Sequence, residues 1–210
     1  MLDNSPSSDG YISRSPEGIR AGLGAARRSP RLGAREPVSG RPERAYIGLG
    51  ANLGDARATV QAAVQAIAAL PGTHLVARSQ DWRSAPVQAQ GPDFINAVVA
   101  VDTTLAPHDL LAALWGIEQA HGRLRPYPNA PRTLDLDLLL QGEHVLHTLD
   151  LTLPHPRMHE RAFVLRPLAQ VAPGATIAGQ GAVAGLLAAV ADQRVEPVAD
   201  APPATRRDPA

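Results

Sequence analysis

The sequence predicts an α+β protein with a ferredoxin-like β-α-β-β-α-β core, in which helices lie on one face of an antiparallel sheet. The main reason is that the apolar period switches along the chain, from the alternation of strands to the three- and four-residue spacing of helices and back. Proline and glycine mark the ends of these segments. Two later apolar segments, residues 161–169 and 183–191, predict extra C-terminal helices.

The first half of the core has the order β-α-β. Residues 45–50, AYIGLG, predict a short strand, and the turn at residues 52–55 leads into a helix that ends at Pro71-Gly72. Residues 74–82 predict the second strand. The helix carries its large apolar residues on one face, as expected of a helix that covers a sheet: Val60, Val64, Ile67 and Leu70.

The second half has the order β-α-β as well. Residues 94–103, FINAVVAVDT, predict the third strand. Pro107 suits the first turn of a helix, where its missing N–H costs nothing, and the helix runs to Gly122. Residues 132–140, RTLDLDLLL, predict the fourth strand.

Length and composition predict one folded domain between two tails. The chain has 210 residues, and only residues 45–193 carry the periodic apolar pattern that a core needs. Residues 1–44 are rich in Ser, Pro, Gly and Arg, and residues 194–210 are rich in Pro. We expect both tails to be disordered because neither has an apolar face to bury.

Charge and cysteine content exclude several classes of function. The 20 basic and 20 acidic residues cancel, so no net field favours nucleic acid or an acidic membrane. There is no cysteine, which excludes thiolate metal ligands and a cysteine nucleophile. No apolar run reaches the ~18 residues of a membrane span, and the N-terminus lacks a secretory signal. We therefore expect a cytoplasmic monomer without nucleic-acid or membrane partners.

Two aspartates interrupt the last predicted strand. Side chains alternate across a strand, so Asp135 and Asp137 share one face while the leucines between and around them share the other. Carboxylates ~7 Å apart on one face repel each other and attract a cation. The strand is therefore either half-solvated with an acidic outer face, or part of a metal site.

A glycine-rich run after the first strand has two interpretations. Gly48, Gly50 and Gly54 could form the turn of a dinucleotide-binding unit, with Asp81 as the ribose-binding acid. The spacing is one residue longer than GxGxxG, however, and no helix separates the second strand from the third. The other interpretation is that these glycines permit a tight turn and close packing.

Polar residues, most of them basic, gather before and after the acidic strand in the sequence. Because lysine is absent from the chain, any phosphate must be held by arginine rather than by a P-loop lysine. A polyphosphate with Mg²⁺ accounts for arginines placed beside paired carboxylates, since Mg²⁺ prefers oxygen ligands and keeps substrate phosphates in its shell. The residues concerned are Glu118, Arg123, Arg125, Arg132, His155 and Arg161.

Four blocks of the sequence resemble the 6-hydroxymethyl-7,8-dihydropterin pyrophosphokinases of folate biosynthesis. They are residues 45–55, AYIGLGANLGD; 91–97, GPDFINA; 131–137, PRTLDLD; and 153–155, LPH. The resemblance covers residues 45–175, and PRTLDLD is specific to that family. It implies that ATP transfers its pyrophosphoryl group to the pterin hydroxymethyl oxygen and that AMP leaves.

The resemblance also implies a role for each matched residue. Asp135 and Asp137 would hold two Mg²⁺ ions, and Asp135 would help to receive the substrate's proton. Arg123, Arg132, His155 and Arg161 would contact the triphosphate, Arg125 would join them as its loop closes, and Glu118 and Leu138 would border the nucleotide. On the pterin side the resemblance implies ring contacts from Asn96, Phe94 and Phe163 and backbone contacts from Ser84 and Val87, with Asp135 also beside the substrate.

Several positions leave alternatives open. Phe94 and Phe163 could instead be core residues, and Glu118 could only pair with an arginine. Tyr127 could replace a loop aromatic common in the family, and Trp115 stands where a glutamine often meets the nucleotide. A second class, a nucleotide- or RNA-binding module on a ferredoxin-like sheet, would need exposed aromatics, whereas the chain is 3% aromatic.

Overall fold

The computed structural model describes residues 40–86, 91–122 and 133–199. The chain divides into two units, Met1–Arg35 and Glu36–Ala210, and every described residue lies in the second. The predicted disorder of residues 1–44 therefore falls almost entirely outside the described residues. The predicted domain start at residue 45 is close, because the first strand begins at Glu43.

The described elements differ from the predicted β-α-β-β-α-β order in one respect, because three strands rather than two lie between the first two helices. The first seven are β1 (Glu43–Ala51), α1 (Ala56–Ala68), β2 (Thr73–Arg78), β3 (Trp82–Ser84), β4 (Phe94–Thr103), α2 (Pro107–Ala120) and β5 (Asp135–Gln141). Then come β6 (Leu146–His147), β7 (Thr152–Leu153), α3 (Ala162–Val171), β8 (Thr176–Ile177), β9 (Gly181–Ala182), α4 (Val183–Leu186) and β10 (Val195–Pro197). Two 3₁₀ helices, Met158–Glu160 and Leu187–Val190, complete the chain.

The main sheet has six strands, paired antiparallel throughout. Its order is β10-β3-β4-β1-β5, and β2 pairs with β4 beside β3. The mixed helix and antiparallel sheet of the prediction is confirmed. The second predicted strand is divided, however, because Ser79 bonds to Val98 through both its backbone and its side chain and Asp81 turns inward.

Helices α1 and α2 lie on one face of the sheet, as predicted. Asp55 caps α1 by accepting a hydrogen bond from Ala58 N at 2.9 Å, and Pro107 begins α2. The buried faces of both helices pack on alternate residues of the central strands. That core includes Val60, Val64, Ile67, Leu110, Leu114, Ile47, Leu49, Leu136 and Leu138.

Helix α3 packs on the opposite face of the sheet. Its buried residues Leu165 and Leu168 meet Trp82, Val98 and Leu140 in a second core cluster. The predicted C-terminal helices are thus present, although residues 183–191 form the short α4 followed by a 3₁₀ turn. No helix in the described ranges is long and apolar enough to cross a membrane.

The predicted disorder of residues 194–210 is wrong for its first part. Val195 to Pro197 form β10, which pairs with β3 in the register Val195↔Ser84, Glu196↔Arg83 and Pro197↔Trp82. Val198 N also donates to Asp81 O at 2.9 Å. Three residues are too few to show a period, and proline is tolerated because β10 is an edge strand.

The pairing of β1 with β5 contains a β-bulge at Leu139. Tyr46 pairs with Leu140 and Ile47 with Leu138, so one extra residue is inserted in β5. The carbonyl oxygen of Leu139 accepts a hydrogen bond from His155 N at 2.9 Å. The bulge therefore connects the acidic strand with the segment that carries His155.

Candidate active site

A pocket opens on the α3 side of the sheet, over the C-terminal half of β1 and the first residues of β4 and β5. Its lining combines backbone of β1 with side chains from β3, β4, β5 and the start of α3. The structure thus brings residues from distant parts of the chain to one place. The pocket includes seven of the predicted site residues: Ser84, Phe94, Asn96, Asp135, Asp137, Arg161 and Phe163.

The two carboxylates of β5 face this pocket. Leu134, Leu136 and Leu138 are buried against the helices, whereas Asp135 and Asp137 are half-buried on the other face. The alternation predicted from RTLDLDLLL is confirmed. The aspartates lie in a concave site shared with a polar amide and aromatic rings, which contradicts the interpretation of a merely solvated strand.

Gly48 and Gly50 form the floor of the pocket. They lie within β1, where Gly50 pairs with Asn96 on one side and Asp135 on the other, and Gly48 pairs with Asp137. The dinucleotide interpretation is therefore wrong, since these glycines are in a strand rather than a turn. Glycine inside a central strand is typical of a place where a ligand approaches the backbone.

Asp81 contradicts the dinucleotide interpretation too. Its side chain is 2% exposed and forms ion pairs with Arg57 and Arg78. A carboxylate enclosed in this way does not meet a ribose. The turn itself uses Gly54, whose φ of 60° lies in the left-handed region that favours glycine.

Asn96 is held by the strands beside it. Its side chain is buried, and Nδ2 donates to Ser84 Oγ at 3.0 Å and to Trp82 O at 3.3 Å. Both acceptors belong to β3, so the amide is oriented by the neighbouring strand. A buried amide that is fixed in this way can recognise a ring edge without reorganising.

Two phenylalanines form the apolar walls. Phe94 begins β4 and Phe163 lies in the first turn of α3, and both are half-buried rather than closed in the core. The guanidinium carbon of Arg161 lies 5.5 Å from the centroid of the Phe163 ring. This cation–π contact places the positive charge at the edge of an apolar slot.

His155 lies close to the carboxylates but is not part of the pocket lining in the described residues. Burial lowers the pKa of His155, and the charge of Arg161 lowers it further, against the opposing effect of Asp137. The backbone N–H of Arg157 donates to Nδ1 at 3.3 Å, so the neutral ring carries its proton on Nε2. His155 is thus a neutral hydrogen-bond donor near neutral pH.

Glu118 and Leu138 lie outside the pocket as the described residues define it. Glu118 is 1% exposed, and its Oε1 accepts a hydrogen bond from Leu136 N at 2.7 Å, which ties α2 to β5. Leu138 is 3% exposed because strand alternation turns it toward the helices. Any contact of Leu138 with a nucleotide would therefore use its backbone.

Other predicted site residues lie outside the described residues. They are Val87, Arg123, Arg125 and Arg132, together with the loop residue Tyr127. Pocket residues that the sequence did not single out include Ala85, Pro86, Ala97 and Val164. The only signal for the floor was the spacing of Gly48 and Gly50 inside an apolar strand.

The donor set of the pocket suits a particular kind of metal. Within the described ranges, no group of three or more His, Cys, Asp and Glu residues could enclose an ion. Asp135 and Asp137 supply a pair of carboxylates on one face. Such a partial set fits Mg²⁺, which usually takes one or two carboxylates and completes its shell with water and substrate phosphates.

A pocket that combines carboxylates, an arginine and aromatic walls suits an enzyme that transfers a phosphate-bearing group to a ring compound. A family model described as 7,8-dihydro-6-hydroxymethylpterin-pyrophosphokinase (HPPK) matches residues 46–173. The chain belongs to this family.

Curated relatives agree with the family. A 2-amino-4-hydroxy-6-hydroxymethyldihydropteridine pyrophosphokinase of Pseudomonas aeruginosa is 46% identical over 155 residues, which cover 73% of this chain and 96% of the relative. The protein of that name from Haemophilus influenzae is 40% identical over 152 residues, which cover 72% of this chain and 95% of that relative. The chain is therefore an enzyme of folate biosynthesis that transfers pyrophosphate from ATP to 6-hydroxymethyl-7,8-dihydropterin.

Solved structures support the fold. A Plasmodium falciparum HPPK-DHPS crystallised with SDX-DHP matches with a TM-score of 0.59 at 11% identity, over 72% of this chain and 45% of that chain. An HPPK-DHPS in complex with substrates matches with a TM-score of 0.55 at 14% identity, over 70% of this chain and 43% of that chain. This chain thus spans less than half of those proteins, and at such low identity the likeness concerns the fold alone.

Proposed function

We propose that Asp135 and Asp137 hold two Mg²⁺ ions with ATP, and that the pterin hydroxymethyl oxygen attacks the β-phosphorus. The observation that supports this most is that both carboxylates line the same pocket as Asn96 and the phenylalanine walls. The site can therefore hold a ring and a polyphosphate side by side. When bound, Mg²⁺ would neutralise phosphate charge and favour in-line displacement at the β-phosphorus.

His155 and Arg161 would hold the phosphates. Neutral His155 offers Nε2–H as a donor, which neither repels the metal ions nor needs to lose a proton. Arg161 carries a permanent charge at the pocket edge and can meet phosphate oxygens in a planar fork. With the γ end restrained, the β-phosphorus would stand nearest to the incoming oxygen.

The pterin ring would lie between Phe94 and Phe163. Both rings stand on the wall of the pocket, and Asn96 is oriented by Ser84 at its inner edge. The hydroxymethyl group would then point along β1 toward Asp135, which pairs across Gly50. Asp135 would help to receive the proton that the hydroxyl group loses.

The remaining roles rest on the family resemblance. Arg123 and Arg132 would contact the triphosphate, Arg125 would join on loop closure, and Val87 would offer its backbone to the pterin. Glu118 and Leu138 would border the nucleotide, for which the hydrogen bond of Glu118 to β5 gives a structural basis. Tyr127 would supply a stacking ring in the loop.

We also propose that the protein has a ferredoxin-like core, is a monomer and is cytoplasmic. A ferredoxin-like core is supported by the strand order β3-β4-β1-β5 and by α1 and α2 on one face. A monomer is supported by the scattered large apolar residues on the described surface, such as Val76 and Val145. The need for ATP supports a cytoplasmic location, and the folded domain would cover residues 43–199.

The position of attack is tested by isotope transfer. With [γ-³²P]ATP, Mg²⁺ and the pterin, we expect the label in pterin diphosphate, with unlabelled AMP accumulating one to one. Chelation of Mg²⁺ by EDTA should stop both products, and omission of the pterin is the matched control. Pterin-dependent ADP as the main nucleotide product would contradict attack at the β-phosphorus.

A further inference from the structure

Gly50 occupies the centre of the pocket floor. Ile47, Leu49 and Ala51 point into the helix-side core, so the Cα hydrogens of Gly48 and Gly50 face the pocket. In the ladder, Gly50 stands between Asn96 and Asp135, the residues assigned to ring binding and to the metal. Any side chain at position 50 would project between the two.

The amide of Asn96 shows why this space matters. Nδ2 makes all the hydrogen bonds of this side chain with the described residues, to Ser84 Oγ, Trp82 O and, more weakly, Phe94 O. Oδ1 receives no donor from that part of the chain, although Asn96 is only 5% exposed. Oδ1 keeps some exposure to the pocket, so it can accept a hydrogen bond from a ligand there.

The open position beside Gly50 leaves this acceptor accessible. A Cβ built on Gly50 would stand 3.5 Å from Asn96 Oδ1 and 3.8 Å from Phe94 Cδ1. These are ordinary contact distances, so an added methyl group would fit the protein while covering the acceptor. Glycine is therefore not needed here for the backbone, and its φ lies outside the left-handed region.

We propose that Gly50 is a specificity-determining residue, which keeps Asn96 Oδ1 uncovered so that the pocket selects a flat ring with an N–H donor on its edge. The pterin ring meets this requirement through its 2-amino group and N3–H. A ring with only acceptors on that edge would leave Oδ1 buried without a partner. The inference rests on the assignment of this pocket to the pterin.

The test is Gly50→Ala in the full-length enzyme. We expect the KM for the pterin to rise by at least about tenfold, as for the loss of a buried hydrogen bond. The Kd for MgATP should change by less than about twofold, because the methyl group does not reach the phosphate side. The melting temperature should stay equal or rise, since alanine in a strand restricts the unfolded chain more than glycine.

The matched control is Gly116→Ala on α2, where a Cβ meets nothing within 4 Å. It should raise the melting temperature with unchanged kinetics. The double variant Gly50→Ala/Asn96→Ala should bind the pterin no more weakly than Asn96→Ala alone, because both changes remove one contact. If the losses of pterin binding free energy in the two single variants simply add in the double variant, the proposal is overturned, even if each single variant binds the pterin weakly.

A ligand series separates this inference from the site assignment. An analogue with hydrogen in place of the 2-amino group and a methyl group on N3 has no N–H donor on that edge. It should bind the wild type at least about tenfold more weakly and lose little more in Gly50→Ala. A normal KM for the pterin in Gly50→Ala would overturn the role of Gly50 and leave the assignment of the pocket intact. Pterin binding that survives Asn96→Ala unchanged would instead show that the pocket itself is wrongly assigned.

Discussion

Asp135 and Asp137 are two half-buried carboxylates on one face of β5, and like charges at this spacing repel each other. Neither contributes apolar packing, since the leucines of β5 do that on the opposite face and at its end. Their presence is therefore better explained by chemistry than by stability. This distinction can be measured with isosteric variants.

Asp137→Asn should lower turnover by at least about a hundredfold, because a neutral amide is a poor Mg²⁺ ligand. The midpoint of thermal unfolding should change little, since asparagine has the same shape as aspartate and the change removes no apolar packing. AMP release and calorimetry measure the two quantities. Asp109→Asn, in the first turn of α2, is the control, and near-normal turnover of Asp137→Asn would refute the metal assignment.

At this scale the sequence predicted residues whose pattern is periodic and missed those whose role depends on geometry. The i, i+2 spacing of Asp135 and Asp137 determines their shared face. By contrast, the role of Gly50 depends on Asn96 lying opposite it in β4, and the tautomer of His155 depends on Arg157 N. Neither contact can be read before the chain is folded.

The elements around β3 are held by one buried carboxylate. Asp81 pairs with Arg57 of α1 and Arg78 of β2, and its backbone oxygen accepts the N–H of Val198 after β10. Arg57 also donates to Ala199 O at 3.3 Å. One residue thus connects a helix, a strand and the C-terminal segment.

Asp81→Ala should lower the free energy of unfolding by about 2 kcal/mol, because an enclosed carboxylate loses charged hydrogen bonds while the two arginines left behind are about a third exposed. Asp102→Ala is a suitable comparison, because its pair with Arg44 is about a third exposed and should contribute less than about 1 kcal/mol. Urea unfolding measures both variants. Equal losses of unfolding free energy in the two variants would show that burial does not determine the strength of these ion pairs.

Strand β10 should stabilise the wall of the pocket. Without it, β3 would be an edge strand of three residues, although it carries Ser84 and orients Asn96. A chain ending at Asp192 should lose about 2–4 kcal/mol of stability from ladder hydrogen bonds and Val195 burial. A chain ending at Ala199 should unfold like the full-length protein, and the reverse order of stability would contradict this role.

The ends of helices and strands were predictable where the apolar repeat of the sequence continues for enough residues. The ten residues of β4 match the predicted strand, and Pro107 marks the start of α2. The split between β2 and β3 and the existence of β10 depend on long-range partners. The position of α3 on the second face of the sheet likewise depends on Trp82 and Val98, which are distant in sequence.

For the whole molecule, the described site residues all lie within the stretch that the family model matches. The described site residues lie between Gly48 and Val164, and the family match covers residues 46–173. The Pseudomonas aeruginosa relative is covered over 96% of its length by 155 residues of this chain. We therefore expect that the activity does not require residues 1–40.

Deleting residues 1–40 should change kcat/KM by less than about tenfold, equivalent to ~1.4 kcal/mol in barrier height. AMP release by the truncated and full-length enzymes, compared at the same MgATP concentration, measures the effect. A larger loss would show that the N-terminal segment contributes to catalysis. Unchanged kinetics together with unchanged melting temperature would confirm that the catalytic domain is complete without it.

The bulge at Leu139 turns two consecutive residues of β5 to the same face of the sheet. Leu139 and Leu140 both belong to the cluster under α3, whereas Leu138 belongs to the core under α1 and α2. The inserted residue therefore changes the face of neither the aspartates nor the apolar end of the strand. Removing Leu139 would leave a regular ladder, but it would take away a buried side chain and the carbonyl group that accepts a hydrogen bond from His155 N. A change of length in β5 should therefore disturb the position of His155 before it disturbs the acidic pair.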